Sequence, residues 1–225
     1  MTANETKTRN GPDRPDGEPA RPTSILRNWI TMLLRSTSPR ATSPATARAC
    51  GHFVYLDTET TGLGGDIRIV DLAIVDDTGN TLIDTLVDPL VPIPRGATAI
   101  HGIYDEDVAG MPTLDDIMPR VRDAIRGRGV VIYNASYDQK LFSGRLDAAH
   151  SVHCAMRRFK QLPIAVGNGN GTLTRAAVWA NHEWTGVQHR ALADALAART
   201  VWQRLEELGV PLPDSASSSS PSTRR

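Results

Sequence analysis

The spacing of apolar positions changes along the chain in a definite order. Phe53-Val54-Tyr55-Leu56 is a short apolar run that ends on charge, and two more runs, Ile67–Val75 and Thr81–Val87, are separated by Asp77-Thr78-Gly79-Asn80. Runs of that length bounded by turn residues predict strands, and a turn of that composition joins antiparallel neighbours, so the domain should open as a three-stranded meander. Pro92 and Pro94 then mark a loop ending in Ala99-Ile100-His101-Gly102-Ile103. Beyond it the period changes: Leu114, Ile117, Met118, Val121 and Ile125 recur at helical spacing within Thr113–Arg126. Val130–Tyr133 predicts a fourth strand running into a helix at about 137–147, His150–Cys154 a fifth strand, and 172–181 and 190–208 further helices. Strands first and strand-helix alternation afterwards predict an α/β fold, a mixed five-stranded sheet flanked by helices.

Both ends read differently. Residues 1–24 and 36–50 are rich in Pro, Thr, Ser, Arg and Ala, too poor in large apolar side chains to offset the entropy of ordering, so the extension 1–50 is expected to be disordered. Ile25, Trp29, Met32 and Leu33 could make a short amphipathic helix over 25–34 within it. A serine-rich tail, 211–225, leaves 51–210 as the folded domain. The net charge of zero over 225 residues conceals a split: residues 1–50 carry eight basic against four acidic residues, and 51–213 carry fifteen against twenty. An acidic core suits a polyanionic substrate only when divalent cations offset its carboxylates. Cys50 and Cys154 lack the spacing of a zinc site, and one possible pair makes no disulfide framework, so a reducing, cytoplasmic compartment is expected. The apolar run Ile25–Leu34 is interrupted by Arg27 and Asn28 and falls well short of the ~20 residues that cross a bilayer, so no membrane partner is expected.

The candidate chemistry begins where the first strand ends. Side chains two apart on a strand share a face, so Asp57 and Glu59 would present two carboxylates side by side, and like charges that close call for a cation. Asp138 follows the fourth strand, and Asp194 stands five residues after His189. On a helix turning ~100° per residue, Asp194 shares an arc with Ala191, Ala195, Ala198, Val201, Trp202 and Leu205. A carboxylate on that core-facing stripe is costly unless a cation or hydrogen-bond donors meet it. If the helix begins near Arg190, His189 lies on the loop before it, and both side chains can face one site. Singly, each residue has a structural reading: a turn former, a charge at a helix N-terminus, a solvated helix face. Together, four carboxylates from three segments suit two hard cations, Mg²⁺ or Mn²⁺. Two such ions ~3.5–4 Å apart would support in-line displacement at phosphorus, with His189 as the base that deprotonates water.

The ordered set Leu56-Asp57-Thr58-Glu59-Thr60-Thr61-Gly62-Leu63, Ile100-His101-Gly102-Ile103, Tyr133-Asn134-Ala135-Ser136-Tyr137-Asp138 and His189-Arg190-Ala191-Leu192-Ala193-Asp194 resembles the successive motifs of the DnaQ-like 3′–5′ exonucleases, and more narrowly their DEDDh branch. The resemblance covers about 52–208, and the compact spacing before His189 looks like exonuclease X as well as polymerase proofreading domains. It implies an RNase H-like fold and two-metal release of nucleoside 5′-monophosphates from 3′ ends. On that resemblance Asp57, Glu59, Asp138 and Asp194 match the catalytic metal-site acids, His189 the general base, and Thr60, Leu63 and His101 the contacts to the terminal nucleotide. It also implies nucleic acid as partner, single-stranded 3′ ends with DNA ahead of RNA, in repair or proofreading, and association with a DNA polymerase or another replication or repair protein.

Two alternatives stay open: an RNA-directed relative of the RNase T or oligoribonuclease type, and a nucleic-acid-binding module whose hydrolysis is incidental and whose affinity comes from the arginine-rich extension. Arg157, Arg158 and Lys160 could touch a substrate backbone or simply form a solvated face, and Gly167-Asn168-Gly169-Asn170-Gly171 reads as a flexible connection because it lacks the lysine of a phosphate-cradling loop.

Overall fold

The computed structural model describes residues 53–62, 66–165 and 171–213. The expectations for the N-terminal extension with its 25–34 helix, for the tail beyond 213, for Leu63 and for all but the last residue of the glycine-rich connection lie outside these residues. Five strands form one sheet: β1 Phe53–Thr60, β2 Ile69–Asp76, β3 Thr81–Leu86, β4 Gly129–Ile132 and β5 Ser151–Cys154, in the order β3-β2-β1-β4-β5. β1, β2 and β3 pair antiparallel, and β4 and β5 join them parallel. The described helices are α1 Arg95–His101, α2 Asp105–Val108, α3 Leu114–Ile125, α4 Ala135–Leu141, α5 Ala155–Phe159, α6 Leu173–Trp179 and α7 Ala191–Glu207.

The alternation of β1 sorts its side chains between two cores. Val54 and Leu56 pack with Leu72, Ile74, Val130 and Ile132 against Ile117, Val121 and Ile125 of α3. Tyr55 faces the other way, with Ala73, Val75 and Val131, against Ala191, Ala195, Ala198, Val201, Trp202 and Leu205 of α7. The helical stripe expected of α7 is therefore its buried face. Alanines at its first turns let the helix lie close to the sheet, while fully buried Trp202 and Leu205 fill the space near its other end. Asp57 and Glu59 continue the face of Tyr55, so the strand's period directs both carboxylates toward the side that α7 covers.

Four elements depart from expectation, of which α2 and α5, with four and five residues, are too short to show an apolar period and had no counterpart among the predicted helices. Residues 95–101, read as loop, form α1: Pro94 stands at its N-cap, and Gly102 ends it at φ 70° with its N–H bonded to Thr98 O. Pro before and Gly after a short segment is a helix signature that the absence of an apolar period masked. The helix expected at about 137–147 instead spans 135–141, because Ser143 (φ 48°) and Gly144 (φ 80°) turn left-handed and cannot continue a right-handed helix. By contrast, α3 matches its prediction, and Thr113 caps it reciprocally with Asp116: the Thr113 N–H donates to the Asp116 carboxylate (2.9 Å) and the Asp116 N–H to Thr113 Oγ1 (3.4 Å). Among the described residues, no helix is long and apolar enough to cross a membrane.

Candidate active site

β1 is longer than its parallel neighbour. The pairing with β4 ends at Leu56↔Ile132, so residues 57–60 run on past the end of β4, and α4 begins in the space beyond. Asp138, in the first turn of α4, is thereby brought against β1, where Thr58 Oγ1 donates to its Oδ1 at 2.7 Å. From the other side, the first turn of α7 supplies Asp194. The side-chain ligand atoms of Glu59, His189 and Asp194 lie within 4.8 Å of one another. His189 precedes the helix in a left-handed backbone conformation (φ 61°), uncommon for a residue with a side chain, and its N–H donates to Asp194 Oδ1 at 3.3 Å.

The electrostatics of this cluster are unfavourable as it stands. Burial, followed by the charges of Asp138, Asp194, Glu59 and Asp71, pushes the Asp57 carboxyl well above the usual range. Glu59 is pushed up to about 8, by burial first and then by Asp194, Asp71 and Asp138. Asp138 and Asp194 each rise to about 6 through burial, opposed by the Thr58 hydrogen bond in one case and by His189 in the other. Carboxylates crowded and desolvated in this way hold protons unless a cation replaces them. An all-oxygen set of anionic donors with one adjacent imidazole fits hard divalent cations, so the residues present fit the metal that the sequence implies.

Asp57, Glu59, Asp138, Asp194 and His189 thus meet at one place, whereas Thr60 and His101 are engaged within the chain. Thr60 Oγ1 lies 2.9 Å from Tyr137 Oη, which also donates to Gly62 O at 2.7 Å. The Ile103 N–H donates to His101 Nδ1 (3.1 Å), so Nε2 carries the ring proton and donates to Thr60 O (3.2 Å). Burial lowers the pKa of this ring, in keeping with a neutral imidazole. Both residues brace the turn at Gly62 that follows the carboxylate pair.

Asp71 escaped the sequence reading. It lies directly opposite Glu59 in the β1–β2 register, hence on the same face, and is 1% exposed. Its Oδ2 accepts from Arg190 Nε at 2.8 Å and from the Ala191 N–H at 3.3 Å. The available signal was an acid in the middle of Ile69-Val70-Asp71-Leu72-Ala73-Ile74-Val75, because a lone carboxylate in a buried strand requires a partner.

A family model described as Exonuclease matches residues 54–201. The uncharacterized exonuclease CP81 of Escherichia phage 186 is 38% identical over 157 residues, covering 63% of this chain and 81% of that protein. A DNA polymerase III subunit epsilon-like protein of Rhodobacter capsulatus is 40% identical over 93 residues, covering 38% of this chain but only 13% of that protein. Among solved structures, exonuclease X in complex with 5′ overhanging duplex DNA matches with a TM-score of 0.57 at 26% identity, covering 69% of this chain and 92% of that one.

Proposed function

The chain belongs to the DnaQ-like exonuclease family, and from that premise we propose that it is a DEDDh-type 3′–5′ exonuclease whose domain spans about 51–210 and whose preferred substrate is single-stranded DNA. The observation that carries this reading is the convergence of Asp57, Glu59, Asp138 and Asp194 beside His189, on the face of β1 that α7 covers. DNA is favoured because the Rhodobacter relative is polymerase-III-epsilon-like and exonuclease X was captured on DNA. The first of these also supports a polymerase or another replication or repair protein as partner.

In this reading Asp57, Glu59, Asp138 and Asp194 would hold two divalent cations, Mg²⁺ or Mn²⁺, which would supply Lewis-acid stabilisation of charge on the phosphate oxygens. His189 takes a proton from the attacking water as the water's oxygen bonds to phosphorus. The bond from phosphorus to the 3′ oxygen of the penultimate nucleotide breaks, and that oxygen takes up a proton from solvent water. One nucleoside 5′-monophosphate leaves, and the strand ends in a new 3′-hydroxyl. The imidazole lies within 4.8 Å of a carboxylate oxygen of Glu59 and of Asp194, and the Asp194 carboxylate holds the backbone from which it projects. By resemblance to the family, Thr60, Leu63 and His101 would contact the terminal nucleotide, Thr60 and His101 in addition to bracing the turn at Gly62.

The test is a time course on 5′-labelled single-stranded DNA and RNA of one sequence, with Mn²⁺, with chelator, and with Asp57→Ala. The expected result is a metal-dependent ladder shortening from the 3′ end, faster on DNA and absent in the variant. A ladder shortening from the 5′ end of a 3′-labelled strand, or activity that survives Asp57→Ala, refutes the proposal.

A further inference from the structure

Resting on the exonuclease reading, we propose that Asp71 and Arg190 form a positioning pair that holds His189 and Asp194 in place against the carboxylates of β1, and that Asp71 is not itself a metal ligand. The first amides of a helix need acceptors from outside it. Arg190, the N-cap of α7, has extended backbone angles (φ −127°, ψ 131°) and supplies no side-chain cap. The acceptor comes instead from a different element: Asp71 Oδ2 on β2 receives the Ala191 N–H, and the same oxygen receives Arg190 Nε. The Asp71 side chain is 2% exposed and the Arg190 side chain 37%, so the pair is anchored at its buried end and reaches solvent at the other.

The segment between these anchors is short and strained. His189 has the left-handed backbone noted above, and its own N–H is held by Asp194, whose N–H in turn closes the first helical turn onto Arg190 O at 3.1 Å. His189 to Ala191 is therefore pinned by two acids, one from β2 and one from α7. Because Asp71 is the cross-strand neighbour of Glu59, the anchor of α7 and the carboxylate facing His189 belong to one rigid pair of strands. Any slippage at Arg190 would be passed directly to the imidazole and to Asp194. Asp71 Oδ1 has no hydrogen-bond partner among the described residues, which makes a fifth ligand the competing role for this side chain.

Asp71→Asn, Arg190→Ala, their double variant and Arg190→Lys separate these roles. Activity is read on the labelled DNA strand beside wild type and His189→Ala, Mn²⁺ affinity is titrated without DNA, and amide exchange is followed at His189 and Asp194. The expected result for each single variant is a kcat lower by about 10- to 100-fold with KM changed by less than about twofold, since small displacements of a catalytic group act on the transition state. Mn²⁺ affinity should stay within about threefold of wild type, the double variant should be no worse than the worse single, and Arg190→Lys should recover part of the loss. The amides of His189 and Asp194 should exchange faster, while those of the last turns of α7 should not change. Unaltered kcat and exchange in folded variants overturn the inference. So does a drop in Mn²⁺ affinity of about tenfold or more in Asp71→Asn alone, which makes Asp71 a ligand. If Asp71→Asn does not fold, the two variants at the half-exposed Arg190 decide. If wild type itself is inactive the exonuclease reading fails, and the exchange data still decide whether the pair positions His189.

Discussion

The two ends of α7 are built on opposite principles. Its last turns bury Trp202 and Leu205 completely, and Arg158, itself 3% exposed, lies over the Trp202 ring at 4.5 Å while donating to Glu206 and to Val210 O. Its first turn carries Asp194 into a group of acids that repel one another, held by Asp71 and Arg190. One end lowers the free energy of the fold; the other raises it. The difference teaches that the packing of the second half secures a helix whose first half would not choose its position, which is how a fold maintains a site that costs stability.

Substitution at each end should break this contrast in opposite directions. The largest effect is expected for Asp194→Ala: activity on the labelled strand falls by at least ~10³-fold, while without metal the melting temperature stays level or rises because a repelling charge is gone. A melting temperature lowered as far as by a core substitution would show that the first turn is not under electrostatic stress. Trp202→Ala should do the reverse, losing ~3–5 kcal/mol of stability at ~2–4 °C per kcal/mol, with near-normal turnover per folded molecule. Denaturant titration alongside active-site titration checks this, and a loss of turnover per folded molecule equal to that of Asp194→Ala would erase the distinction between the ends.

A smaller effect concerns pH and metal. Glu59 at about 8, with Asp138 and Asp194 at about 6, retain protons in the folded, metal-free protein that the unfolded chain has already released. The folded state thus binds more protons from ~pH 4 up to ~pH 8, and the contribution of these groups to stability falls as pH rises through that window. Added Mg²⁺ or Mn²⁺ removes the penalty, and a ligand at ~100 times its Kd contributes ~2.7 kcal/mol. Thermal melts at ~pH 5.5 and ~pH 8 should show a larger gain from metal at the higher pH, and an equal gain at both would refute the assignment. The smallest effect is expected for Glu207→Gln, which breaks the exposed Arg204–Glu207 pair at the last turn of α7. Chemical denaturation should register less than ~0.5 kcal/mol.

Much of this was legible in residue order. Apolar runs bounded by turn residues located all five strands, because the central strands β1, β2 and β4 are buried on both faces, and the 3.6-residue period located four of the seven described helices, which bury one face each. α1 left only Pro94 and Gly102 as signs, and the truncation of α4 depended on the left-handed turn at Ser143, which a serine does not announce. Asp57, Glu59, Asp138, His189 and Asp194 stood out because a charge at the end of an apolar run, or on an apolar stripe, contradicts its surroundings. Asp71 contradicts its surroundings equally, but its partner is 119 residues away, and only the folded chain shows that Arg190 meets it.

The sequence by itself determined the five strands, the longer helices, the family and the five residues proposed for the candidate centre, since these follow from local periodicity and from motifs of fixed spacing. Only the tertiary structure decided how the centre is held: that β1 outruns β4 to make room for Asp138, that His101 and Tyr137 brace the turn after the carboxylate pair, and that a buried strand carboxylate caps the helix bearing Asp194. Those are contacts between segments far apart in the chain, and their geometry is set by sheet register and helix placement rather than by any local rule of sequence.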